Sequence, residues 1–369
     1  MLARITVIAA GLLALAPGSS SAGVVSAVQG PITCYRTVCD ATLAVTYAPA
    51  EGERLDAAFT TEAAETTLTV FDPGGVQAAE GCSSTGATTA RCVLTEPVVN
   101  APFVSLVARG GDGDDRLVAD RSLFRPKLSG GAGNDVLTGR GDLDGGPGDD
   151  DLDGLGATDA MLDGGSGADR LSGGAVSYSD RREAVRFDAS RPGSSAGEAG
   201  EGDIVGPGVF AIFGGSADDV LTARDQGTAL YGAGGDDVLV GGFGTDRLFG
   251  GSGSDRLDGG RGSDRLDGGP GTDELTGGGT SRGRDVLDGG SGNDAFDLRG
   301  GSRVLARGGA GADDVRGPGA GDVVSLRGGG RDRVRCGRGL AAGPPATLLL
   351  DRRDVTTGRC RGVRRSSTR

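Results

Sequence analysis

The sequence predicts an all-β chain: a parallel β-roll, or β-solenoid, of nine-residue units with a small N-terminal β-rich cap region. Three observations point there. The phrase GGxGxDxUx, with U a large apolar residue, occurs ten times in full between residues 110 and 316. The 369 residues include 74 glycines and 14 prolines but only 4% aromatics and no tryptophan, a composition that folds only if a period organises it. Ahead of the repeats, short stretches alternate apolar and polar residues with the two-residue period of strands.

Residues 1–22 have the form of a secretory signal peptide. Arg4 supplies a basic start, an apolar stretch runs from Ile5 to Ala16, and Ser20-Ser21-Ala22 offers a small-residue cleavage site. The apolar stretch is about 12 residues long, short of the roughly 20 that span a bilayer, so no membrane span is expected. The mature chain is expected to be secreted and extracellular, with cell-surface association as an alternative.

Residues 23–109 form the expected N-terminal β-rich region, with strands at TLAVTYA (42–48), TTLTVFD (66–72) and FVSLVARG (103–110). Six cysteines suit an oxidising compartment and allow 15 connectivities. They fall in three local pairs, Cys34/Cys39, Cys82/Cys92 and Cys336/Cys360, and local pairing is the simplest disulfide scheme.

Residues 110–335 carry the repeats. Complete copies start at Gly110, Gly130, Gly145, Gly164, Gly241, Gly250, Gly259, Gly268, Gly289 and Gly308, with near-matches at Gly214 and at Gly232, where Ala233 replaces the second glycine. An irregular insert at 175–213 interrupts them. There Val185, Phe187, Ile204, Phe210 and Ile212 suggest further strands, and 189–202 suggests a flexible surface excursion. After Val334 the phrase stops. Residues 336–369 read as a disulfide-closed terminal strand pair followed by a basic, solvated tail.

Each phrase has a physical reading. GGxGx supplies backbone able to turn at positive φ, and the last three residues make a short strand with one apolar side chain facing inward. Two phrases make one coil of 18, so Leu248 and Leu266 share one inward column and Leu257 and Leu275 the facing one. The sixth-position aspartates then stack about 4.8 Å apart, coil upon coil. In water two such charges repel by roughly 0.9 kcal/mol, and by more in a lower dielectric. A cation between them removes that cost. Carboxylates and glycine carbonyls offer oxygen only, which suits Ca²⁺; Mg²⁺ demands tighter geometry, and Zn²⁺ prefers His or Cys. The candidate metal ligands are Asp115, Asp135, Asp150, Asp169, Asp219, Asp237, Asp246, Asp255, Asp264, Asp273, Asp285, Asp294 and Asp313. Asp255 is expected to share ions with Asp237 and Asp273, and Asp264 with Asp246, across 18 residues.

GGxGxDxUx is the repeat of the RTX calcium-binding proteins, and residues 110–335 resemble that family. The resemblance implies a parallel β-roll with several Ca²⁺ ions held between the turns of repeats n and n+2, and carries the ligand role to Asp219, Asp237, Asp246, Asp255, Asp264 and Asp273. The chain departs from RTX toxins and proteases in its N-terminal signal and in lacking a recognisable lytic or proteolytic domain. Its layout is more similar to secreted calcium-binding repeat proteins of high-GC Gram-positive bacteria.

Composition narrows the function. Histidine is absent, which removes Ser-His-Asp and Cys-His catalysis and His-ligated zinc. Lys127 is the only lysine, so a Walker A phosphate loop is excluded. A formal net charge of −13 argues against nucleic acid and favours cations. The expectation is a secreted calcium-ion-binding protein with a structural or interaction role, not an enzyme, whose protein or cell-surface partner the sequence does not name. Two alternatives are a carbohydrate-active β-helix using Asp188 or Arg186, and a calcium-dependent adhesin. Arg140-Gly141-Asp142 adds little to the latter, being expected by chance in so Gly- and Asp-rich a chain.

Overall fold

A computed structural model describes residues 103–119, 125–189, 195–223, 227–279, 283–299, 303–336 and 346–360, with the strands between 23 and 93 and the strand Val363–Arg365 as backbone. The signal-peptide segment lies outside the described residues. Strands and turns make up the described residues, with no helix among them. The chain divides into two compact units: residues 1–176 with 206–209, and 177–205 with 210–369.

In the first unit, the N-terminal region provides the first rung for both walls of a parallel solenoid. Val38–Ala48 pairs antiparallel with Gly23–Gln29 and parallel with Phe103–Asp112. Phe103–Asp112 starts one wall, followed by Lys127–Ala132, Asp142–Pro147 and Met161–Ser166, all parallel. The other wall starts at Asp56–Phe59 and continues through Arg116–Ala119, Val136–Thr138, Asp151–Asp153 and Arg170–Ser172. Thr67–Phe71, Thr89–Val93 and Cys82–Ser84 form a small antiparallel sheet. The backbone register sets Cys82 opposite Cys92 and Cys34 opposite Cys39; their side chains lie outside the described residues.

The second unit repeats this plan with longer walls. One wall runs from Ala211–Phe213 through Ala229–Gly234, Arg247–Ser252, Arg265–Pro270, Arg284–Ser291, Arg303–Ala310 and Val323–Leu326 to Thr347–Leu350. The other runs from Arg186–Asp188 to Val355–Thr357 through nine strands. Leu248 faces Leu266 in register on one wall, and Leu257 faces Leu275 on the other. All four are at most 1% exposed. Burying each stabilises the fold by roughly 1.5–3 kcal/mol, so the core is a thin double file of leucines rather than an aromatic cluster.

Two regions differ from the sequence expectation. The terminal segment is not a separate strand pair: Thr347–Leu350 and Val355–Thr357 extend the two walls in parallel, and the backbone of Val363–Arg365 adds a further rung. Asp-Val and Asp-Arg-Val steps keep the coil going where the glycine phrase has decayed. Cys336 and Cys360 are disulfide-bonded, with Cα atoms 5.3 Å apart. In the insert the expected strands are present, as Arg186–Asp188, Asp203–Val205 and Ala211–Phe213, and the difference lies within 189–202, where Ser195–Ala196 folds back antiparallel on Asp203–Val205. Inside the insert, Tyr178 is 1% exposed and donates to the buried Asp203 carboxylate at 2.9 Å, and Arg181 pairs with Glu201 at 3.2 Å.

The second glycine of the phrase has a clear steric reason. Gly251 has φ 109°, and a Cβ there would meet the Ala233 carbonyl oxygen at 2.2 Å. Ala233, at the equivalent place one coil earlier, is forced to φ 80°. An L-residue there costs about 1–2 kcal/mol, part of which the entropy of glycine offsets. Ala233→Gly is therefore expected to stabilise the folded chain by about 0.5–1 kcal/mol in urea unfolding at fixed calcium. A neutral or negative result would contradict the strain assigned to this turn.

Candidate metal centre

Each coil has two slots where a turn enters a strand. The backbone fixes them: the first amide of each strand donates to the carbonyl of the slot residue one coil back, as Arg256 does to Asp237 at 2.8 Å and Arg265 to Asp246 at 2.9 Å. Being the last turn residue, the slot side chain folds beneath the turn instead of out to water. All thirteen sequence-derived aspartates occupy such slots and are at most 2% exposed.

They form three columns. In the first unit Asp115, Asp135, Asp150 and Asp169 stack, each amide donating to Oδ1 of the next aspartate at 2.7–2.8 Å. The spacings are 20, 15 and 19 residues rather than 18, because every second phrase is degenerate. In the second unit one column runs through Asp219, Asp237, Asp255, Asp273, Asp294 and Asp313 with the same bond. The other edge holds Asp246, Asp264 and Asp285. Asp255 therefore stacks with Asp237 and Asp273, Asp264 with Asp246, and Asp255 and Asp264 lie in different columns.

Three aspartates outside the nine-residue phrase also belong to the columns, and two slots of the second unit hold no aspartate. Asp332 and Asp354 extend the long column, with Asp313 donating to Asp332 at 2.9 Å and Asp332 to Asp354 at 3.3 Å. Asp322 lies on the other edge and accepts from the Val304 amide at 2.9 Å. These three lack the glycine phrase; Asp322-Val323-Val324 and Asp332-Arg333-Val334 keep only the Asp-x-apolar step, and in Asp354-Val355-Thr356 a threonine takes the apolar place. Val304 fills the slot between Asp285 and Asp322, and Thr228 the one before Asp246. In the first unit the slots opposite the aspartate column hold Pro126, Gly141, Ala160 and Gly174, so carboxylates line one edge only.

The two carboxylate oxygens differ. Oδ1 takes the amide of the preceding coil, which offsets part of the repulsion between stacked charges. Oδ2 of Asp135, Asp150, Asp237, Asp246, Asp255, Asp264, Asp273, Asp294, Asp313 and Asp332 is buried with no hydrogen-bond partner. Such an atom costs about 1–3 kcal/mol if left so, and more when charged. The two ends of the long column are different: Asp219 Oδ2 accepts from the Gly215 amide at 2.7 Å, and Asp354 Oδ2 accepts from the Asp351 amide. The first glycine of the phrase makes room for the orphan oxygen. A methyl on Gly250 would stand 2.3 Å from Asp255 Oδ2 and 2.7 Å from the Gly268 carbonyl oxygen of the next coil.

Carboxylate and carbonyl oxygens thus converge from successive coils, with no nitrogen or sulfur donor. That donor set fits a hard cation with flexible coordination. Among the described residues no cluster of three or more His, Cys, Asp or Glu side chains could hold a metal by itself, so an ion here would rely on stacked pairs and backbone oxygens.

Burial raises the carboxyl pKa along the columns: to about 8 for Asp237, about 7 for Asp150, Asp246 and Asp273, and about 6 for Asp264, Asp313 and Asp332. Desolvation is the main cause and neighbouring carboxylates often add to it, while the backbone hydrogen bond opposes both. An acid whose folded pKa lies above its unfolded value, here 3.8, binds more protons when folded. Without divalent ions, stability is therefore expected to rise as pH falls from about 8 towards 4, with no further gain from these groups below that. Urea unfolding of metal-free protein at pH 8 and pH 5 checks this; greater stability at pH 8 would refute it.

The remaining sequence candidates lie elsewhere. Arg186 and Asp188 flank the buried Phe187 on the outer side of one strand. Asp142 of the Arg-Gly-Asp tripeptide pairs with Lys127 at 3.4 Å. No curated protein matches the chain. Residues 127–144, 229–248, 249–279 and 280–305 match the RTX calcium-binding nonapeptide repeat, and three of these four segments cover the middle coils of the second unit. The chain carries RTX calcium-binding nonapeptide repeats, built as a parallel β-solenoid with aspartate columns along its turns.

Proposed function

We propose that this is a secreted calcium-binding protein with a structural or interaction role, whose solenoid folds around Ca²⁺ held between the turns of successive coils. One observation carries the reading: the files of buried carboxylate oxygens without partners, spaced coil by coil. Calcium supplies the positive charge that lets these groups stay ionised at neutral pH. The chain supplies the rest. The stacked aspartates hold charge on both sides of each gap, glycine carbonyls complete an oxygen shell, and the leucine files fix the coil spacing. The absence of histidine and the Cys336–Cys360 bridge fit an extracellular scaffold better than a catalyst.

Each pair of adjacent stacked aspartates offers one gap, which gives about twelve over the described residues. Binding to the folded state alone stabilises it. Metal-free protein at neutral pH is expected to gain β-type circular dichroism as CaCl₂ rises into the roughly 10⁻⁴–10⁻³ M range of extracellular modules, and to lose it with chelator. An unchanged spectrum would sink metal-coupled folding. Asp255→Asn removes a carboxylate shared by two gaps and is expected to raise the calcium midpoint several-fold, whereas Asp258→Asn, on the outer side of the next strand, is expected to leave it in place. Equal shifts in both variants would show that general charge, not the column, sets the affinity.

A further inference from the structure

The charge of the chain is unevenly placed. Residues 299–369 contain sixteen arginines against six aspartates, with no lysine or glutamate, a formal +10 within a chain of net −13. The structure widens that imbalance at the surface. Asp313, Asp322, Asp332 and Asp354 are turned inward into the column slots and are at most 4% exposed. Only Asp314 and Asp351 remain to face outward there, whereas all eleven described arginines from Arg299 to Arg359 are exposed.

Six of these arginines lie together on three consecutive coils. Arg333 and Arg335 flank the buried Val334, on a strand paired with Asp314–Arg316 on one side and Val355–Thr357 on the other. Arg331 directly precedes the slot residue Asp332, and Arg352 and Arg353 precede Asp354, whose carboxylate accepts from the Asp332 amide in the adjacent turn. Arg316 and Arg335 share Asp314, at 3.5 and 3.0 Å. Among the described residues, no carboxylate forms an ion pair with Arg331, Arg333, Arg352 or Arg353. Four unneutralised guanidinium groups thus stand on one sheet face and its adjoining edge, on rungs about 4.8 Å apart.

We propose that this arginine face, on the coils spanning 314–357, docks a linear acidic polysaccharide. Guanidinium groups bind carboxylates and sulfates through paired N–H donors, and a cluster of them on successive rungs suits a polymer with regularly repeated anions. Nucleic acid fits less well. Single strands are held largely by base stacking on aromatic rings, and no aromatic residue occurs after Phe296. The described residues of this face also contain no helix to lie in a duplex groove.

The test uses the mature full-length chain in millimolar calcium and about 0.1 M salt, where surface charges are screened beyond roughly 10 Å. The probes are immobilised chondroitin sulfate and, separately, single- and double-stranded oligonucleotides. One variant carries Arg331→Ser, Arg333→Ser, Arg352→Ser and Arg353→Ser. A control with the same net charge carries Arg170→Ser, Arg186→Ser, Arg247→Ser and Arg265→Ser, all exposed and elsewhere. Circular dichroism confirms that both variants keep the fold. The expected result is polysaccharide binding that falls tenfold or more in the first variant and less than twofold in the control. No binding by the parent chain, equal loss in both variants, or tighter binding of an oligonucleotide at the same salt would each overturn the proposal. The calcium reading is judged by its own spectroscopic titration, so the two can fail separately.

Discussion

Carboxylates are buried one above another at the spacing of β-strands, and the rest of the molecule is arranged around that constraint. A coil that places an aspartate beneath each turn must either separate those charges, protonate them or bind something between them. The backbone deals with half of the problem, because Oδ1 of one coil receives the amide of the coil before it. Oδ2 is left over, and its burial pushes the carboxyl pKa towards or above neutrality. Ionisation of the columns and foldedness are therefore opposed in this chain until a cation intervenes.

The glycine content follows from the same constraint. The first glycine of the phrase is needed because any side chain would occupy the space that the orphan oxygen and the next carbonyl share. The second is needed because successive turns pass almost in contact, as the strained Ala233 shows. Leucine appears once per strand because the space between the walls admits a single file from each. Little else in the sequence is specified, which is why the outer positions vary freely between arginine, aspartate, serine and valine.

Much of this could be read directly from the residues. The nine-residue period gave the strands, the inward leucines and the division of Asp255 and Asp264 between columns, since a period of two strands per coil leaves no other arrangement. The N-terminal strands were legible from alternation, although not their role as the first rung of both walls, which depends on pairing between segments far apart in sequence. The last coils were hidden because Asp332 and Asp354 sit in turns without the glycine signature. At Asp332 the slot is kept by an Asp-x-apolar step alone, too short to stand out from chance, and at Asp354 Thr356 takes the apolar place. The one-sided column of the first unit was equally invisible: the motif marks where an aspartate is, and says nothing of what faces it across the coil.

Val304 lends the second unit an asymmetry of another kind. On one edge the file of carboxylates is continuous from Asp219 to Asp354; on the other, a hydrocarbon side chain separates Asp285 from Asp322. In a stack where each gap is coupled only to its neighbours, an unbroken file behaves as a long chain of linked steps and a broken one as short independent segments. The two edges of a single solenoid are thereby given different correlation lengths, one suited to an abrupt collective response and the other to a gradual local one.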